Sequence, residues 1–396
     1  MKTLVLAVFV FGAFAACGGD STGTGPQAAS VTGIAGDSQT APTGAALTFP
    51  LSLVALGSSG QPLQGVHVTW TVTPTASASF SPATAATDVN GAAATNVTAG
   101  SLIGGITIHA AVPGVPDVLY HATVVNPCTY LAPYTFGQTV NAVLATTDCN
   151  RGNFGFYYDY HGLTLPAGQQ SIRISMHSVF DTWLDFWTAA GPFVAFDDDS
   201  IPGVAPNSQI DVILPGGDYI IGASSYARSM TGAYSLKAAT RPAEMNGCRE
   251  VWVTRGVTVS DSIRLSDCAD SAVSPHYYDV ARIAVYAGTV LSIAERSATI
   301  NASLALYKVV PDSNYVRHLV ASNDDSAAGN PNAFIRFTVD TSNVYDVIIG
   351  TSVAGQTGAY TFSVDTTTTL NGRALAPSHA ARERWGADGL PRRSKH

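Results

Sequence analysis

Apolar and polar positions alternate over short stretches along most of the chain. From Gly65 to Val72 the run Gly-Val-His-Val-Thr-Trp-Thr-Val puts an apolar side chain at every second place, the period of a strand with one buried face. Ile106 to Val112 (Ile-Thr-Ile-His-Ala-Ala-Val) reads the same way. Asn90-Gly91, between such runs, is a turn signal, because both residues tolerate positive φ. Helical periodicity is nearly absent, and β-branched runs are punctuated by Gly, Pro and Asn. This pattern predicts an all-β chain of tandem β-sandwiches. One run is different in kind. Leu4 to Ala16 is 13 residues without a charge, preceded by Lys2. It is shorter than the roughly 20 residues that span a bilayer and has the parts of a signal peptide, predicted over 1–16.

The second half of the chain is a duplication. Cys128…Asp148-Cys149 matches Cys248…Asp267-Cys268, and Tyr157-Tyr158-Asp159 matches Tyr277-Tyr278-Asp279. Asp198-Asp199-Ser200 matches Asp324-Asp325-Ser326, and Thr231-Gly-Ala-Tyr234 matches Thr357-Gly-Ala-Tyr360. Each copy is about 115 residues, the size of one sandwich. The predicted organisation is a tether over 17–27, a first module over 28–126, copy one over 127–241, copy two over 246–366 and a disordered basic tail over 367–396. The duplication also assigns faces. Leu184/Leu304 and Phe186/Leu306 are apolar in both copies and are expected to point inward. Trp183 and Asp185 then fall on the other face, where copy two has Ser303 and Ala305.

Charge and cysteine content narrow the class. The net charge is −8, and no Lys or Arg occurs between Lys2 and Arg151, which excludes the basic footprint of a nucleic-acid binder. Five cysteines is an odd number, which in an exported protein needs an explanation. Four lie in two close pairs and permit three connectivities. The duplication selects the local one, Cys128 with Cys149 and Cys248 with Cys268.

The fifth, Cys17, carries a resemblance. Phe14-Ala15-Ala16-Cys17 resembles a bacterial lipobox, with Phe14 in place of the usual Leu, and a Gly/Ser/Thr-rich tether follows. The resemblance implies an acylated Cys17 and, with Gly18 after it, an outer-membrane anchor. The competing reading is an ordinary signal peptide cut nearby. In the first module, Gln-Pro-Leu-Gln-Gly-Val-x-Val-x-Trp (61–70), Thr-Asp-x-Asn-Gly-x-Ala (87–93) and Gly-x-Ile-Thr-Ile-x-Ala (104–110) resemble a bacterial immunoglobulin-like domain of the invasin type (Big-1), which implies a spacer or stalk unit. The two copies resemble the bacterial pre-peptidase C-terminal (PPC) domain, through x-Asp-Asp-Ser, Pro-Gly-Gly-Asp-Tyr at 215–219 and Thr-Gly-Ala-Tyr. That resemblance implies a jelly-roll-like sandwich.

Candidate chemistry is sparse. No HExxH is present, nor any GxSxG in an α/β frame. His67 and His109 sit in alternating strands, where a lone His is a surface or satisfied residue. The acidic stretch Asp197-Asp198-Asp199 and its counterpart Asp324-Asp325 supply oxygens of the kind Ca²⁺ takes; the alternative is a loop whose carboxylates cap their own backbone. Trp183 and Trp187 beside Asp185 are candidate surface contacts for a glycan or protein; the alternative packs Trp183 under a loop or against the other module. The expectation is a non-enzymatic surface lipoprotein with a glycan, matrix or protein ligand. Its rivals are a partner of a secreted hydrolase and a structural envelope protein.

Overall fold

The computed structural model describes residues 25–150, 154–198, 207–242, 244–245, 248–310, 316–325 and 330–368. Residues 1–16, Cys17 and the tail beyond Thr368 lie outside the described residues. Every regular element among the described residues is a strand, and the chain divides into two compact units at Val124/Val125.

The first unit holds β1 (Ser30–Ala35), β2 (Gln39–Pro42), β3 (Leu51–Leu56), β4 (His67–Thr73), β5 (Ala78–Ser81), β6 (Thr84–Ala86), β7 (Ala92–Ala99), β8 (Gly104–Ala111) and β9 (Val118–Val125). They form two sheets, β1-β3-β7-β5 and β2-β9-β8-β4-β6. Leu51 and Leu53 of one sheet share a core with Val68, Trp70 and Ile108 of the other, while His67, Thr69 and Thr71 on the alternate positions of β4 are exposed. The Asn-Gly turn forms as the sequence predicts. Asp88 Oδ1 accepts from the amides of Asn90 and Ala92, both at 2.9 Å, and Gly91 has φ of 71°. A Cβ there would lie 2.5 Å from the Ala55 carbonyl oxygen, so only glycine fits. Tyr120 on β9 donates across the sandwich to the Ser52 carbonyl at 2.6 Å.

The second unit contains both copies. Repeat one is β10 (Ala132–Tyr134), β11 (Thr139–Leu144), β12 (Cys149–Asn150), β13 (Tyr157–Ser178), β14 (Thr182–Thr188), β15 (Phe193–Asp197), β16 (Ser208–Ser225) and β17 (Gly232–Thr240). Repeat two is β18 (Val251–Val253), β19 (Val257–Ile263), β20 (Cys268–Ala269), β21 (Tyr277–Val285), β22 (Thr289–Arg296), β23 (Ala302–Val310), β24 (Val316–Asn323), β25 (Ala333–Thr338), β26 (Asn343–Thr351) and β27 (Gly358–Thr368). The long strand β13 does in one piece what β21 and β22 do in two. It pairs with β16 along its whole length, with a register shift between Leu165 and Gln169 where the pair turns. Gly216 allows this turn: a Cβ there would sit 1.8 Å from the Pro166 carbonyl oxygen. Cys128–Cys149 and Cys248–Cys268 are both bonded, at Cα separations of 4.5 and 4.6 Å.

The repeats are not two beads on a string. β18 runs parallel to β16 (Val212↔Trp252, Ile213↔Val253) and parallel to β21 (Val251↔Ala281, Trp252↔Arg282). One 14-stranded sheet therefore crosses from repeat one into repeat two. The cores interlock as well. Trp252, Val309 and Val344 of repeat two belong to the apolar cluster of repeat one, and Ile213 of repeat one belongs to that of repeat two.

Candidate functional site

Trp183, Asp185 and Trp187 lie on β14 between β15 and β16. Their expected role as surface contacts is corrected by their burial: the three are 4%, 3% and 4% exposed. Trp183 stacks on Phe196 at 5.3 Å between ring centroids, and Trp187 meets Phe193 edge-on at 4.9 Å. Trp252 then closes over Phe193 and Phe196 at 6.3 and 5.6 Å. The second face of β14 is thus covered with the help of the other repeat, so alternation correctly put these side chains opposite Leu184 and Phe186 without exposing them. Asp185 is accommodated by Gly222 across the ladder, where a Cβ would stand 2.0 Å from Asp185 Oδ1. Repeat two has Ala305 opposite Ile348 at the same place.

Within repeat two, a charged cluster lies against Trp252 on its side of the joint. Asp346, fully buried, accepts from Arg282 Nε at 2.7 Å and Nη2 at 2.9 Å and from Arg317 Nε at 2.7 Å. Burial works against the ionised form, but the two guanidiniums hold its carboxyl below the usual value. Glu250, just before β18, accepts from both arginines at 3.0 and 3.2 Å, and the Arg282 guanidinium lies 5.8 Å over the Trp252 ring.

The acidic hairpin is partly engaged by backbone. Asp197 Oδ2 accepts from the Gln209 amide at 2.7 Å, and Asn323 Oδ1 accepts from the Phe334 amide at 2.9 Å, the same bond in each repeat. Asp198 is buried; Asp324 and Asp325 are exposed. Asp199 lies outside the described residues. Among the described residues no group of three or more His, Cys, Asp or Glu is arranged so that it could hold a metal ion. In the first unit, His67 is exposed, and His109 contacts Asp117 Oδ2 at 3.3 Å and Thr73 Oγ1 at 3.4 Å.

The polar cluster that sequence reasoning missed links motifs it had used only as alignment landmarks. Tyr234 Oη donates to Asp159 Oδ2 at 2.8 Å and lies 3.0 Å from His161 Nε2. Because the hydroxyl proton is spent on Asp159, His161 Nε2 is the donor in that pair. Asp148 reaches Asp159 through a carboxyl–carboxyl hydrogen bond, and its Oδ2 accepts from the Ala145 amide at 2.5 Å. Burial, then the charge of Asp159, pushes Asp148 up to about 7; burial lowers His161 to about 4. Repeat two repeats the core of this arrangement: Tyr360 donates to Asp279 at 2.7 Å. In place of His161 it has Ala281, and it adds Glu295, which is fully buried beside the Ser303 and Gly350 amides and pushed up to about 9 by burial. A Tyr–His–Asp trio has the residue types of acid–base catalysis; here His161 and Tyr234 are 4% and 3% exposed, enclosed in the interior of repeat one. An open groove of about 510 Å³ lies beside repeat two's Tyr360, lined also by Glu244, Asp261, Arg264, Arg296 and Ser297. Asp261 is committed there to the Met245 and Ser262 amides at 2.5 and 2.7 Å and to Arg264 at 2.8 Å.

No family model matches the chain, and no curated protein matches it. Among solved structures it is similar to the D0-D1 domain of intimin, with 10% identity, a TM-score of 0.21, and 54% of this chain and 95% of that one covered. It is also similar to invasin, a bacterial integrin-binding protein, with 14% identity and a TM-score of 0.20, over 85% of this chain and 56% of that one. A third likeness is to the trypsin-activated alpha-2-macroglobulin of Escherichia coli, at 11% identity and a TM-score of 0.19, covering 80% of this chain and 23% of that one. Scores this low carry no argument about function. The all-β, multi-sheet architecture stands on the strands themselves.

Proposed function

We propose that this chain is a non-enzymatic, lipid-anchored envelope protein that displays β-sandwich modules for binding or adhesion. The observation that carries this reading is the fused pair of repeats: two disulfide-closed sandwiches share one sheet, which gives a stiff body suited to presentation and leaves its polar trio enclosed. The signal-like segment and Cys17 support export and acylation, and the disulfides fit an oxidising compartment. The invasin-type and PPC resemblances support a spacer followed by binding modules.

The test has two arms. Mass spectrometry of the N-terminus from the envelope fraction is expected to find a diacylglyceryl-modified Cys17; an unmodified, later start makes the protein freely secreted. Attachment of cells to glycan, matrix and protein-coated surfaces is expected to fall when the chain is deleted and to return with the wild-type copy. Unchanged attachment on every surface, or hydrolysis by the purified chain, overturns the adhesive reading.

A further inference from the structure

Repeat one receives β18 on the outer edge of β16, and repeat two has the same receiving edge. β13 pairs with β16 through Ile172↔Val212, Ile174↔Ile210 and Met176↔Ser208, and β22 pairs with β25 through Leu291↔Phe337, Ile293↔Ile335 and Glu295↔Ala333. Phe337 and Thr338 therefore stand where Val212 and Ile213 meet Trp252 and Val253. The matching bonds of Asp197 to Gln209 and Asn323 to Phe334 fix the same alignment independently. Beside this edge, Tyr307 and Leu319 take the places of Trp187 and Phe193, and both hairpins shift register at the same point. In repeat one that surface is covered by Trp252, and Phe193 is 4% exposed; in repeat two Leu319 is 56% exposed and Phe334 on β25 is 44% exposed. β25 has β22 as its one ladder partner among the described residues, so its other side is an open edge.

We propose that the free edge of β25, with Leu319 and Tyr307 beside it, is a docking site for an extended apolar strand bearing an aromatic side chain. A partner polypeptide supplies that strand, which runs parallel to β25 as β18 runs along β16. The chemistry of the occupant is read from β18, Val-Trp-Val: β-branched residues complete the ladder and the ring covers the apolar patch. The leading strand of a second copy does not meet this requirement. Ala132↔His161 in repeat one corresponds to Val251↔Ala281 in repeat two, which puts Pro133 at the place of Trp252. A proline brings neither the amide donor nor the ring. The chain thus accepts a strand at this end without offering one at the other, and the donor is a different protein.

The probe is a fluorescent peptide with the sequence of residues 249–255, Arg-Glu-Val-Trp-Val-Thr-Arg, titrated into the purified chain. Saturable binding is expected with a Kd below about 1 mM, weakened about tenfold or more when the peptide Trp is replaced by Ala. Leu319→Arg and Thr338→Pro alter exposed positions of the patch and edge, and each is expected to weaken binding about tenfold or more with an unchanged thermal melt. Absence of saturable binding at 1 mM overturns the proposal. So does binding indifferent to both substitutions, which would mean the peptide displaces β18 at the joint. The measurement is made in solution, so its failure leaves the anchored-display reading untouched, and an unacylated Cys17 leaves this site untouched.

Discussion

Tyr360 Oη donates a 2.7 Å hydrogen bond to Asp279 Oδ2 in the core of repeat two, and Tyr234 and Asp159 make the same bond in repeat one. Each joins the final strand of a repeat to the strand that follows its disulfide, so the bond ties the two layers together. Tyr360→Phe removes the donor from a buried carboxylate and is expected to cost about 1.5–3 kcal/mol, read as a lower midpoint in urea with an unchanged slope. A loss under about 0.5 kcal/mol would show the pair to be incidental.

Stability should fall as pH rises from mildly acidic to alkaline. Asp148 and Glu295 have folded-state values raised from 3.8 to about 7 and from 4.5 to about 9. Between unfolded and folded values the native state holds protons that the unfolded chain has released. Their stabilisation is full below about pH 4 and is lost as pH rises through about 7 and then about 9. The check is a series of melts from pH 5 to 9. Asp148→Asn, which keeps a donor toward Asp159, should flatten the neutral part of the curve, and Glu295→Met the alkaline part. Met is the residue repeat one has at that place, Met176 pairing with Leu236 as Glu295 pairs with Phe362.

Trp252→Ala should cost about 3–5 kcal/mol, as for a large buried aromatic, and should do more than lower one midpoint. Because this ring serves the core of the other repeat, a single calorimetric transition for the two repeats is expected to split into two. A merely shifted single transition would argue that the shared ladder alone couples them.

Asp197→Asn is expected to leave stability within about 0.5 kcal/mol, since Asn323 makes the equivalent bond in repeat two. Melts with millimolar Ca²⁺ and with chelator examine the metal question directly. A calcium-dependent rise that this substitution abolishes would restore a ligand role to Asp197.

Much of the fold was legible from local pattern. The alternation of β4 and the Asn-Gly turn follow from residues close in sequence, and the disulfide pairing follows from the duplication. What escaped was everything decided by the second repeat's contact with the first. Trp183 and Trp187 look like surface aromatics because alternation says which face a side chain takes and is silent on what covers that face. The one available sign was the asymmetry itself: Trp183 and Asp185 in repeat one where repeat two has the small Ser303 and Ala305. Paired with an unmatched Trp252 against Pro133, it marks a face that is covered once and open once. The buried carboxyl cluster was hidden for a different reason. Tyr234 lies 75 residues from Asp159, and only the recurrence of Asp148, Asp159 and Tyr234 at Asp267, Asp279 and Tyr360 hints at a common purpose.

The joint at β18 also orders events in time. Synthesis runs from the N-terminus, so β17, the last strand of repeat one, leaves the ribosome before Trp252 does. Repeat one must wait for the beginning of its neighbour before its own aromatic face can close. Nascent-chain intermediates that stop short of Val253 therefore expose Phe193 and Phe196. Within the second unit the smallest piece that can finish folding is the duplicated pair, and the gene boundary between the copies is not a boundary for the polypeptide.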